Sequence, residues 1–271
     1  MTIANVNGVG VVHWNPRQPV ITGRFGNRLH LGRRRNNFGD LLGPALVSRI
    51  VADDGLKQPA TRRGTPRLVA IGSIIHFAAD GDVIWGSGIN GKASDDEHRF
   101  LQLDVRAVRG PLTRDALIRR GIDVPEIFGD PGLLAPTVFP ELSRWSQNKR
   151  HQLSIVPNLH DFAIWRSHPD VVDPTAPLLA VLERIARSER VIGSSLHGII
   201  VAESLGVPAT LMRPGTEPLF KYEDYYRGTG RQDFPVATGL DEALSTHAEP
   251  IGEWSSIELL DAFPSDLWTS A

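Results

Sequence analysis

The chain has 271 residues, with 29 Lys+Arg against 31 Asp+Glu, a formal charge of −2 and no Cys. That length is one large domain or two small ones, enough to bury a real core. The near-zero charge argues against a dedicated nucleic-acid binder, which needs a basic excess. The missing Cys excludes a disulfide scaffold, a thiolate-held zinc or iron–sulfur centre and a cysteine nucleophile, and suits a reducing compartment.

In chain order, Met1-Thr2-Ile3-Ala4-Asn5 lacks a basic n-region and a long apolar stretch, so no secretion signal is expected. Val9 to Trp14 reads as a strand, and the Arg-rich segment from Arg24 to Asn37 as a loop. Asp40 to Val51 reads as a helix, with Leu41, Leu42, Ala45, Leu46 and Ile50 near helical spacing. Arg67–Ile71, Asp82–Trp85 and Leu101–Val108 are strand-like runs. Pro111–Arg120 is a predicted helix with Pro first and Gly121 as its stop, followed by a short strand at Glu126–Phe128.

Pro136 to Arg150 reads as an exposed connector because of its Pro, Ser, Gln and Asn content. Beyond it the alternation restarts. Strands are predicted at Leu153–Val156, Arg190–Ile192 and Pro208–Met212, and helices at Thr175–Arg187, Leu196–Leu205, Leu240–His247 and Ser255–Ala262. Strand and helix alternating on both sides of a connector predict an α/β chain of two units with parallel sheets. Nowhere do ~18 apolar residues run uninterrupted, so no spanning helix is expected.

Ligands of open parallel sheets sit beyond the carboxyl ends of strands, so the strand-to-helix turns are the places to search. Asn37-Phe38-Gly39-Asp40 opens a helix; Gly39 would let a ligand approach, and Asp40 is either a cap or a chemical group. Gly86-Ser87-Gly88-Ile89-Asn90-Gly91 could fold around a phosphate or a sugar, but no helix is predicted after it, so it is not a dinucleotide fingerprint. Arg109 precedes the helix at Pro111 and suits a phosphate or carboxylate, or else an acidic partner. Gly193-Ser194-Ser195-Leu196-His197-Gly198 runs from a strand into a capped helix, which places His197 in the first turn. A helix N-terminus lowers an imidazole's pKa and a bound anion raises it, so His197 is either a general acid or a structural hydrogen-bonder. His160 and Asp161 lack a third ligand nearby, and no zinc-protease, P-loop or nucleophile-elbow motif is present. No metal site is expected.

The order of Asn37-Phe38-Gly39-Asp40, Trp85-Gly86-Ser87-Gly88, Val108-Arg109-Gly110-Pro111, Gly129-Asp130-Pro131, Ser194-Ser195-Leu196-His197-Gly198, Glu203 with Gly206-Val207-Pro208, and Lys221-Tyr222-Glu223-Asp224-Tyr225-Tyr226 resembles the polysaccharide pyruvyl transferase family, especially its bacterial exopolysaccharide branch. The resemblance implies two Rossmann-like domains in a glycosyltransferase-B-like arrangement around a cleft. Residues 1–145 would form the acceptor side, 150–245 the donor side, and 246–271 a C-terminal segment packed back on the first domain.

It implies phosphoenolpyruvate as donor substrate, no cofactor, and a sugar acceptor on a polysaccharide repeat unit, lipid-linked or otherwise. The place of action would be cytoplasmic, with peripheral contact at the inner face of a membrane. His197 would be the general acid, and the chemistry needed makes Asp40 a candidate base or a sugar hydrogen-bonder. Asn37, Gly39, Gly86, Ser87, Gly88, Arg109, Ser194, Ser195, Arg213 and Lys221 would bind substrates. One departure is Ser195, which stands where many members carry an Arg for the donor phosphate, so that Arg213, Lys221 or another cation must substitute. The alternatives are a glycosyltransferase of the same fold using a nucleotide sugar, suggested by Glu203 with Gly206-x-Pro208, and a non-catalytic sugar-binding subunit. The run Arg24, Arg28, Arg33, Arg34, Arg35 is either a lipid- or donor-facing patch or a solvated face.

Overall fold

The first element is a hairpin that the sequence reading did not include. Strand β1 (Thr2–Val6) pairs antiparallel with β2 (Val9–His13). Asn7 and Gly8 supply the two positive φ values, 46° and 92°, that a tight hairpin requires. The computed structural model describes residues 1–18, 32–58, 66–252 and 254–269. Arg24 and Arg28 lie outside them.

The chain continues through α1 (Phe38–Asp53), β3 (Leu68–Val69), β4 (Val83–Trp85), β5 (Asp104–Ala107) and α2 (Pro111–Ile118). The five strands form one sheet in the order β1-β2-β3-β4-β5, parallel from β2 onward. Helices α3 (Ala135–Val138) and α4 (Pro140–Ser146) follow, then β6 (Ser154–Ile155), α5 (Phe162–Trp165), α6 (Leu178–Ala186), β7 (Val191–Gly193), α7 (Leu196–Ser204), β8 (Ala209–Met212), α8 (Phe220–Gly228), β9 (Val236–Ala237), α9 (Leu240–Ser245) and α10 (Ser256–Asp261). Strands β6 to β9 form a second, wholly parallel sheet in sequential order. The chain is therefore α/β with parallel sheets.

Two expectations need correction, and one helix was not foreseen. Pro136 to Ser146 is not an exposed connector, and only Gln147 to Arg150 of the expected segment form an exposed link. Pro136 and Pro140 stand in the first turns of α3 and α4, where a missing N–H costs nothing, and Val138, Phe139 and Leu142 are buried. Glu126–Phe128 is reduced to a single bridge between Val108 and Phe128. Helix α8 was not predicted, because its buried face is made of Tyr222, Asp224, Tyr225 and Tyr226 rather than aliphatic residues.

The larger apolar core is continuous between the two sheets. It runs from Val9, Val11 and Leu68 through Phe38, Leu42 and Leu46 of α1 to Ile199 and Ile200 of α7, and on to Val191 and Leu211. The C-terminal stretch crosses the first sheet. Trp85 Nε1 donates to Leu259 O at 2.8 Å, Trp268 Nε1 to Val6 O at 3.0 Å, and Trp254 Nε1 to Phe128 O at 2.8 Å. Among the described residues, no helix is long and apolar enough to cross a membrane.

Candidate active site

Among the described residues, neither sheet reverses its strand order, so neither has an internal crevice of the kind found at a topological switch point. Instead, the carboxyl ends of both sheets converge on one cleft of about 310 Å³. Trp14 follows β2, Ser73, Ile74, His76 and Phe77 follow β3, and Asn90 and Lys92 follow β4. From the second sheet, Asn158 to His160 follow β6, Ser195 to His197 follow β7, and Glu217 and Lys221 follow β8. Asn37 and Asp40 of the α1 start complete the wall.

His197 occupies the first turn of α7, as its sequence punctuation implies. Ser195 is the N-cap, and its Oγ accepts from Gly198 N at 3.2 Å. The imidazole is 13 % exposed and lies across Gly39, where an added Cβ would sit 2.4 Å from Nδ1. The glycine at the α1 start thus admits a side chain from the other half of the chain, not a ligand. Burial, with the charges of Lys221 and Arg109, holds the imidazole pKa down at about 3, so the ring is neutral near pH 7.

Asp40 does not cap α1. Asn37 holds the N-cap position without a side-chain cap bond, and its Nδ2 donates to Asp40 Oδ2 at 2.6 Å. Burial raises the Asp40 carboxyl to about 7, against the lowering pull of Asn37 and Lys221. Lys221 Nζ pairs with Glu217 at 2.8 Å, and Lys92 pairs with the same carboxylate. Burial lowers the Lys221 pKa against the raising effect of Glu217.

Several expected ligands are placed elsewhere. Arg109 lies behind the cleft wall and is fully buried. Its Nε donates to Asp224 at 3.0 Å, one NH2 group to Ser73 Oγ at 2.6 Å and the other to Ile89 O at 2.7 Å, so its donors are consumed within the protein. The Gly86-Ser87-Gly88 loop is packed against the protein itself and does not line the cleft. Gly86 packs on Pro131, Ser87 Oγ donates to Gly72 O, and a Cβ at Gly88 would strike the Arg109 guanidinium at 2.3 Å. Ser194 is buried, with its hydroxyl donating to Asp161 at 2.6 Å. Arg213 is exposed and outside the cleft wall; its backbone N–H extends the β8–β9 ladder to Ala237 O.

Among the described residues, no arginine lines the cleft; Lys92 and Lys221 are its strongly basic groups. Sequence reasoning missed Trp14, His76, Phe77, Asn158 and Glu217, which carry no local motif. It also gave no role to Asp130. This carboxylate is fully buried, and its Oδ2 lies 3.8 Å from His197 Nε2. The Glu203 carboxylate is closed off as well, paired with Arg231 at 2.8 Å and bonded by Tyr225 OH.

Comparison with known proteins places the chain in a family. The family model for polysaccharide pyruvyl transferase matches residues 63–215, more than half of the chain. The chain is 27% identical over 215 residues to the succinoglycan biosynthesis protein ExoV of Rhizobium meliloti (strain 1021), covering 73% of this chain and 63% of that protein. It is 28% identical over 160 residues to the uncharacterized protein L143 of Acanthamoeba polyphaga mimivirus, covering 55% and 53%. The chain thus spans less than two thirds of the length of either relative. On the family match, this chain belongs to the polysaccharide pyruvyl transferase family.

Proposed function

We propose that the protein transfers the enolpyruvyl group of phosphoenolpyruvate to a sugar of an exopolysaccharide repeat unit and closes a pyruvate ketal there. The observation that carries this reading is one cleft, at the carboxyl ends of both sheets, lined by His197, Asp40 and Lys221 in a chain of this family. In this reading residues 1–145 and 150–245 are two Rossmann-like units in a glycosyltransferase-B-like arrangement, the first holding the acceptor and the second the donor.

Lys221 and the N–H groups of the first turn of α7 in the second unit, with Lys92 reaching across from the first, receive the donor's phosphate and carboxylate in place of the arginine that Ser195 replaces. The ring is kept neutral by burial and then by Lys221 and Arg109; the donor's negative charge beside it opposes all three, and His197 gains a proton. His197 then protonates the methylene carbon of the enol, leaving an oxocarbenium-like centre at the adjacent carbon. One sugar hydroxyl adds to that carbon and loses its proton to Asp40. Phosphate departs as its C–O bond breaks, taking up that proton. The second hydroxyl closes the ketal and returns a proton to His197. The balance needs neither an oxidant nor a reductant. A lipid-linked acceptor would bring the protein to the inner face of a membrane.

Glu203, the basis of the glycosyltransferase reading, is held by Arg231 and Tyr225 away from the cleft and has no free oxygen to offer a ribose. Phosphate release from phosphoenolpyruvate in the presence of galactosides and glucosides tests the proposal. His197→Ala is expected to remove ketal formation, a loss of ~10²–10⁴-fold, with an unchanged melting temperature. Nucleotide release from sugar nucleotides, or sugar binding without turnover of either donor, contradicts it.

A further inference from the structure

Two buried polar atoms at the back of the cleft have no hydrogen-bond partner: His197 Nε2 and Asp130 Oδ2, which face each other at 3.8 Å. Buried polar groups are rarely left unsatisfied, and an opposed pair of them calls for a reason. Asp130 is held firmly. It is fully buried, its Oδ1 accepts from Gly132 N at 2.9 Å, and the turn it opens, Pro131–Leu134, packs on α7. His197 is restrained on its other side by Gly39 against Nδ1.

We propose that Asp130 is the positioning residue of His197. Its Oδ2 accepts the Nε2–H, presents Nδ1 as the nitrogen that exchanges protons in the cleft, and supplies the counter-charge when the ring is protonated. Closing the gap to the 2.7–2.9 Å of a charge-assisted bond takes a shift of about 1 Å. The same logic makes the buried aspartate of a serine-protease triad fix the tautomer of its histidine.

Burial first, and then the charges around the ring, oppose a proton on the imidazole, and a carboxylate against Nε2 counters both. Lys221 of α8 and Arg109 ahead of α2 both oppose a proton on the imidazole. Arg109 is itself paired with Asp224 of α8, and Asp40 of α1 stands one residue beyond Gly39. Burial raises Asp130 to about 6, with Gly132 and Arg109 pulling down and Asp224 pushing up, so near pH 7 the carboxylate is ionised and able to accept.

This inference rests on the assignment of His197 as proton donor, and its test separates the two. In the full chain with ¹⁵N-labelled histidine, long-range ¹H–¹⁵N correlation at pH 7 is expected to find the His197 proton on Nε2. A proton on Nδ1 overturns the proposal, whether or not phosphoenolpyruvate is turned over. Asp130→Asn keeps an Oδ1 for Gly132 N but places a donor opposite Nε2. It is expected to switch the tautomer, lower kcat ~10²-fold with KM for phosphoenolpyruvate within about threefold, and shift the acid limb of the pH profile. A folded Asp130→Asn with the Nε2–H tautomer, normal kcat and an unmoved profile overturns the proposal, because Asp130 would then serve only its turn. If the variant does not fold, the tautomer of the wild-type chain decides.

Discussion

Gly39→Ala joins the two halves of the site in a single substitution. A Cβ at residue 39 would sit 2.4 Å from Nδ1, 3.0 Å from Cγ and 3.2 Å from Cβ of His197. Ordinary contact begins near ~3.5 Å, so the ring must retreat by about 1 Å or rotate. Nothing else about the change is costly. Residue 39 is in the first turn of α1 at a φ that Ala adopts freely, so the backbone offers a gain below the ~1 kcal/mol of a helix interior that offsets part of the clash. Thermal unfolding is therefore expected to move by no more than about 4 °C.

A misplacement of about 1 Å at a reacting group costs ~10²-fold in rate. The assay is steady-state phosphate release, with kcat expected to fall by that factor. Combining Gly39→Ala with His197→Ala removes the clash, so the double variant should be more stable than additivity of the single variants predicts. A Gly39→Ala enzyme with kcat within threefold of normal, or additive stabilities in the cycle, would refute the idea that this glycine seats the imidazole.

Asp40→Asn is expected to abolish the rise of kcat through about pH 7, where the raised carboxyl of Asp40 ionises to become the base. The sign for stability is the reverse. A raised carboxyl pKa favours the fold fully below ~4 and loses that contribution as pH climbs through about 7, so the Asn variant should gain on wild type across that window in melting scans and hold a constant lead above it. Asp224→Ala leaves the buried Arg109 guanidinium without its carboxylate and Thr113 without an acceptor. Breaking such a pair costs about 3–5 kcal/mol, and denaturant titration should show a loss of that size; a loss under about 1 kcal/mol would contradict the pairing.

What the sequence disclosed depends on how local each signal was. The turn around His197 was legible because a strand, a Ser cap and a helix follow one another within a few residues. Arg109 was recognisable as special, but its use was not, since Asp224 lies 115 positions further along the chain. Asp40 looked like a cap because Asp is favoured at helix starts, yet α1 begins earlier, at Phe38, and turns Asp40 toward the cleft. The cleft's aromatic and amide lining, Trp14, Phe77 and Asn158 among it, comes from several strand ends that only the tertiary fold assembles. Pro136 and Pro140 misled because proline marks linkers and helix starts alike.

The most direct test of the account is a crystal of this protein soaked with phosphoenolpyruvate. The account predicts the donor in the two-sheet cleft, an anionic group on Lys221 or Lys92, and its methylene carbon facing the His197 imidazole. Donor bound outside that cleft, or in it with its methylene turned away from His197, would contradict the account.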